Sequence, residues 1–153
     1  GVKITQRPVT IQTEGGTKEY DGTALTNAQV KVSVGSFVEG ELKSLKATGS
    51  QTEVGSSKNT YSLELEEGAK LTNYAVTEAL GELVVTKSTA EIIITAGSQS
   101  RPYNGSALTN GNYSYTEDVL AKGDVLTATV EGGITDVGSA ANKVTGYKVM
   151  SGD

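Results

Sequence analysis

The sequence predicts an all-β protein, arranged as two tandem small two-layer β modules of which the second is truncated. Three observations predict this. Thr, Val, Ser and Gly dominate the text. The β-branched residues among them are stiff at χ1 and suit a pleated surface better than a helix. Asx-Gly dipeptides punctuate the chain between short alternating apolar runs, as turns between strands require. Finally, the sequence repeats itself. Tyr20-Asp-Gly-Thr-Ala-Leu-Thr-Asn27 returns 83 residues later as Tyr103-Asn-Gly-Ser-Ala-Leu-Thr-Asn110, and Thr52-Glu-Val-Gly-Ser-Ser-Lys-Asn59 returns at the same distance as Thr135-Asp-Val-Gly-Ser-Ala-Ala-Asn142. Two separated octapeptides at one ungapped spacing define a structural period.

The period sets the domains. A first module covers residues 1–87 and a second 88–153, the latter without counterparts of residues 71–87. Within residues 1–7, Val2-Lys-Ile-Thr5 matches Leu83-Val-Val-Thr86, the close of a module, so these residues resemble the last strand of a preceding unit. The chain thus has the look of a stretch taken from a longer array, out of phase with its units.

In order, strands are expected over residues 2–6, 9–13, 29–34, 42–48, 59–66, 73–77 and 82–86, then 91–96, 112–116, 125–131 and 143–150. Val30, Val32 and Val34 alternate, as do Tyr61, Leu63 and Leu65, which marks one buried face per strand. In the second copy Gly146 replaces Leu63, and Tyr147 and Val149 fall out of register, which calls for a bulge. Residues 71–80 hold the one stretch with room for a helical turn. Asp21-Gly22 and Asn104-Gly105 are turn dipeptides, and Gly55 and Gly138 also fall between strands. Leu25 and Leu108 are expected at equivalent core places. The rings of Tyr20 and Tyr103 are expected to cover the core edge beside them with hydroxyls outward. Each module is a sandwich or a β-grasp-like roll.

Chemistry is scarce. With no His and no Cys there is no Ser-His-Asp triad, no thiol nucleophile, no disulfide and no His/Cys zinc site. Glu39 and Glu41 have the spacing of a carboxylate pair on one strand face, but their counterparts are Lys122 and Asp124. Asp118, Asp124 and Asp136 are dispersed rather than gathered in a calcium loop. No catalytic residue, cofactor or metal is therefore expected. Asn27/Asn110 and Asn59/Asn142 recur without a recurring lysine, which argues against a Lys–Asn isopeptide bond and for turn caps. Among aromatic residues, Tyr113 and Tyr115 alternate on one strand face and are the candidate ligand contacts; their counterparts Val30 and Val32 favour a core role. Net charge is −5 with the basic residues scattered, so nucleic acid is not an expected partner. No apolar run is long enough to span a membrane.

The order and spacing of Tyr20-Asp-Gly-Thr-Ala-Leu-Thr-Asn27, Phe37-Val-Glu-Gly-Glu41, Gly49-Ser-Gln-Thr-Glu-Val-Gly55, Asn73-Tyr-Ala-Val76 and Gly81-Glu-Leu-Val-Val-Thr-Lys87 resemble the "mostly-beta, glycine-rich" (MBG-type) tandem repeats of bacterial cell-surface proteins and adhesins. The resemblance covers the first copy whole and the second as far as it runs. It implies extracellular, cell-surface-attached, non-catalytic spacer modules whose partners are neighbouring repeats. The alternative is a binding module for a glycan or host protein, working through loops or an exposed strand edge. The uncovered end of the second copy further predicts strand-mediated self-association.

Overall fold

The computed structural model describes residues 1–151. It contains strands and two single-turn 3-10 helices, in several small sheets with no closed barrel. The chain divides into two compact units, residues 1–88 and 89–153.

Unit 1 contains β1 (Arg7–Thr13), β2 (Gly16–Glu19), β3 (Val30–Gly35), β4 (Leu42–Ala47), β5 (Gly55–Lys58), β6 (Tyr61–Leu65), β7 (Tyr74–Ala79) and β8 (Glu82–Thr86). Its backbone is one long parallel ladder. β1 pairs with β7 from Arg7↔Tyr74 to Gln12↔Ala79, and β2 pairs with β8 from Gly16↔Leu83 to Glu19↔Thr86. The register is the same on both sides of a short break at Glu14-Gly15, where the two chains cross. Gly15 and Gly81 meet there. A Cβ on Gly81 would collide with the backbone of Glu14 and Gly15, and one on Gly15 with that of Glu82. Antiparallel strands flank the ladder: β3 beside β1 and β5 beside β8, with β4 and β6 as a separate antiparallel pair. In each of the two sheets a strand from the start of the unit lies parallel to one from its end, β1 beside β7 and β2 beside β8.

The core follows from alternation along these central strands. Val9, Ile11 and Thr13 on β1, and Leu83 and Val85 on β8, are at most 2 % exposed, and Tyr74 opens β7 at 4 %. Burying an apolar side chain of this size contributes about 1.5–3 kcal/mol. The β3 alternation holds only in part. Ile11 faces Val32 but Thr10 faces Val34, so Ser33 is an extra residue and β3 changes face there. Val30 and Val32 are half-buried, whereas Val34 is 62 % exposed.

Unit 2 contains β9 (Ile94–Ala96), β10 (Tyr113–Tyr115), β11 (Val125–Glu131) and β12 (Lys143–Met150), in two antiparallel pairs, β9–β10 and β11–β12. The bulge falls on Thr145: Val130 faces Val144, but Thr129 faces Gly146. The slip brings Tyr147 opposite Ala128 and Val149 opposite Leu126. Leu126 is 2 % exposed. Tyr147 and Val149 share its face yet remain 67 % and 41 % exposed.

Some expected elements differ. Residues 2–6 form no strand; Val2 and Ile4 are fully exposed, because no strand lies beside them. The expected strand over 91–96 shortens to β9. The helical turn is the 3-10 turn Leu71–Asn73, and the strand after it runs on to Ala79.

Candidate functional site

Three devices recur in both units and place the repeated glycines, leucines and asparagines singled out in the sequence. The first is the turn. Asp21 Oδ1 accepts hydrogen bonds from Lys18 Nζ at 2.8 Å, from Thr23 N at 2.9 Å and from Thr23 Oγ1 at 2.7 Å. The Lys18 ammonium, with Thr23's two donors, holds the Asp21 carboxyl well below the usual carboxylate range. Gly22 follows at φ 78°, a left-handed conformation that only glycine enters at no cost. In unit 2, Asn104 Oδ1 accepts from Ser106 N at 3.0 Å and Gly105 stands at φ 80°. Asn104 carries no charge, and Arg101, in the place of Lys18, donates instead to Ser106 O at 2.6 Å.

The second device is a bridge under the turn. Leu25 and Gln51 exchange backbone bonds in unit 1, and Leu108 and Ile134 do so in unit 2. Leu25 and Leu108 are half-buried rather than fully buried, because each lies at the rim of its unit. Gly55 and Gly138, at φ 143° and 151°, turn the chain from this bridge into the following segment.

The third device is an asparagine staple. Asn59 is fully buried. Its Nδ2 donates to Glu14 O and to Asn27 O, both at 2.8 Å, and its Oδ1 accepts from Gly49 N at 3.0 Å. Its backbone N–H donates to Gly81 O at 2.8 Å, and its carbonyl accepts from Thr13 Oγ1 at 2.6 Å. Asn59 therefore ties β1, the loop before β3 and the β7–β8 crossing together. It does not cap a turn of its own, as the sequence led us to expect. Asn27 does cap one, through Gln29 N at 3.0 Å, while its Nδ2 donates to Gly15 O. Asn142 repeats the staple with Nδ2 donating to Gly97 O at 2.8 Å and Asn110 O at 2.7 Å, but its buried Oδ1 has no hydrogen-bond partner among the described residues.

The two units differ in what lies across these devices. In unit 1, β8 fills the slot between β2 and β5; Tyr20 N donates to Thr86 O at 2.8 Å, and Tyr20 is half-buried. In unit 2 the counterparts of β2 and β5, residues 99–102 and 138–141, have no strand pairing. Between them runs an open groove of two adjoining cavities. One, of about 290 Å³, passes Gly97, Asn110 and Asn142; the other, of about 460 Å³, passes Arg101, Tyr103 and Ser139. Leu108 and Ile134 line both. Tyr103 stands 65 % exposed at its rim, so its ring does not cover the core edge as expected.

Tyr113 and Tyr115 face Ala96 and Ile94 across the β9–β10 pair, with ring centroids 6.4 Å apart and planes 28° from parallel. Both are half-buried on that face. Glu41, offered by spacing as half of a carboxylate pair, accepts the Tyr74 hydroxyl at 2.5 Å. Tyr74 also packs against Phe37, with ring centroids 4.8 Å apart. Burial, helped by the Glu41 carboxylate, pushes the Tyr74 phenol pKa up. Among the described residues no three His, Cys, Asp or Glu side chains gather as a metal site, and no helix is long and apolar enough to cross a membrane.

No curated protein and no solved structure matches the chain significantly. Residues 5–80, nearly all of unit 1, match the family model of the YDG domain; the chain carries that tripeptide as Tyr20-Asp21-Gly22 at the first turn, so unit 1 is similar to a YDG domain.

Proposed function

We propose that this chain is a non-catalytic structural segment of a bacterial cell-surface, adhesin-like protein, in which each unit serves as a spacer between its neighbours. The observation that carries the reading is what the repeat preserves. Three of the polar positions kept 83 residues apart, Asp21/Asn104, Asn27/Asn110 and Asn59/Asn142, bond to the unit's own backbone in both copies. Positions where a binding or catalytic group would be useful change freely, as Glu39 and Glu41 do to Lys122 and Asp124. A repeat that keeps its scaffold and varies its surface suits an array in which each unit contacts only its neighbours. The net charge of −5, without a basic run, supplies none of the positive field that phosphate binding uses.

The test is a binding screen of the purified chain against glycan arrays and immobilised extracellular host proteins. The spacer reading expects no saturable signal. Saturable binding that is lost in Tyr113→Ala/Tyr115→Ala would replace it with a ligand-binding module centred on that tyrosine pair. Antibody raised to the chain should label intact cells expressing the whole protein. Labelling only after lysis would remove the surface assignment.

A further inference from the structure

The first turn of each unit is built on an Asx-Gly pair, Asp21-Gly22 in unit 1 and Asn104-Gly105 in unit 2. Asp21 and Gly22 are exposed although β8 pairs with β2 beside them, and Asn104 and Gly105 are exposed likewise. The turn therefore faces solvent even where that pairing is complete. In both copies the side-chain oxygen is held by the N–H two residues on: Thr23 N donates to Asp21 Oδ1 at 2.9 Å, and Ser106 N to Asn104 Oδ1 at 3.0 Å. That bond folds the side-chain carbonyl of Asn104 back over its own main chain, so Cγ is turned toward the peptide nitrogen in between, that of Gly105. Gly105 stands at φ 80° and has no Cβ to screen this nitrogen. The nearest atom to where a Cβ would lie is the Tyr103 hydroxyl, at 4.0 Å.

We propose that Asn104 is a self-modifying site, at which Gly105 N attacks Asn104 Cγ and the side-chain amide becomes a carboxylate, with water as the co-reactant. Hydroxide takes the Gly105 N–H proton, the N–Cγ bond forms, and the Cγ–Nδ2 bond breaks, its electron pair and a proton from water leaving as ammonia. Water then adds to the cyclic imide and reopens it as aspartate or isoaspartate. Nothing is oxidised or reduced. Negative charge gathers on Asn104 Oδ1 during the attack, and the Ser106 N–H is already aimed at that oxygen.

Unit 1 carries the acidic form of the same turn. A carboxylate is a poor electrophile, and Lys18 Nζ with the two donors of Thr23 keeps Asp21 ionised. In unit 2, Arg101 takes the place of Lys18 and donates to Ser106 O at 2.6 Å. Deamidation gives its guanidinium the anion that Lys18 already has, and adds one negative charge to the net −5. The chain holds a second Asn-Gly pair for comparison, Asn110-Gly111. Asn110 Oδ1 also accepts from the N–H two residues on, at 2.9 Å, but Asn110 is half-buried, so water and hydroxide reach Asn104 first. The inference holds whether or not the array serves as a spacer.

Peptide mapping by mass spectrometry tests it, on the full chain kept at mildly alkaline pH, folded and in concentrated urea. In the folded chain Asn104 should convert at least about tenfold faster than Asn110, which is a barrier difference of about 1.4 kcal/mol. In urea the two should convert at similar rates. The converted chain should bind an anion exchanger more tightly than the parent and co-elute with Asn104→Asp. Asn104→Gln, which would need a larger ring, should stay unconverted at that position. Conversion of Asn104 no faster than that of Asn110 in the folded chain overturns the site. A preference of the same size in urea also overturns it, because local sequence and not the turn would then select Asn104. A product that is isoaspartate throughout overturns the pairing with Arg101.

Discussion

Replacing Asn59 by alanine removes the group that closes unit 1. The side chain makes three hydrogen bonds at 2.8–3.0 Å from a site with no solvent exposure. Its loss leaves the carbonyls of Glu14 and Asn27 and the N–H of Gly49 without those partners. Each such bond contributes about 1 kcal/mol net, and a buried group left unpaired costs about 1–3 kcal/mol. Three groups give a loss of about 3–5 kcal/mol, with the range set by how far water enters the space left behind. Asn142→Ala removes two bonds beside an open groove, where water takes over both carbonyls, and should cost about 1 kcal/mol. Native-state hydrogen exchange on the full chain reads both units separately. In N59A the slowest amides of β1 and β8 should exchange about a hundred to several thousand times faster, at about 1.4 kcal/mol per tenfold. In N142A those amides should not change. If N59A leaves their protection within about tenfold of the parent, the staple does not hold unit 1 together and the reasoning fails.

Other consequences are direct. Gly81→Ala places a methyl inside the backbone of Glu14 and Gly15 and should cost about 1–3 kcal/mol or more, whereas Gly111→Ala, with open space around it, should be neutral; equal urea midpoints would refute the crossing. Gly22→Val and Gly105→Val each force a β-branched residue to φ near 80° and should each cost at least about 1 kcal/mol in a thermal melt. Burial, helped by the bond to Glu78, pushes the Tyr61 phenol from 10.0 up to about 12. Its folded-state pKa lies above the unfolded one, so its contribution to stability is complete below pH 10.0 and is lost as pH rises toward about 12. Tyr61→Phe should remove one late step from the phenolate absorbance titration; an unchanged titration would remove Tyr61 from that environment.

The strands that were legible in the sequence are those that carry their own apolar alternation, such as β1, β6, β8 and β11. β2 and β5 were not legible. Gly16-Thr-Lys-Glu19 and Gly55-Ser-Ser-Lys58 hold no apolar pattern and owe their pairing to β8. The same dependence explains the opposite miss. Val2 to Gln6 has a strand's pattern and no neighbour, so it forms none. The recurrence of Asn59 was visible, but its reach was not. Its partners lie 45 and 32 residues back in the chain, and only the parallel ladder brings them together. The Thr145 bulge was foreshadowed by Gly146 and by the misplaced Tyr147 and Val149. The Ser33 bulge had no such sign, because Val30, Val32 and Val34 alternate through it.

The parallel ladder of unit 1 also decides how the unit carries load. Chain enters at the start of β1, which runs parallel beside β7, and leaves at the end of β8, which runs parallel beside β2. Tension between the two ends therefore slides the strands along each other. It loads the bonds from Arg7↔Tyr74 to Glu19↔Thr86 together, instead of opening them one at a time as in a hairpin pulled from its open end. The tight crossing at Gly15 and Gly81, locked by Asn59, sits midway along this shear line. Such shear loads many bonds in parallel on each side of the crossing, so unit 1 should resist a stretching force applied through its ends better than a hairpin of equal length, which single-molecule pulling would measure.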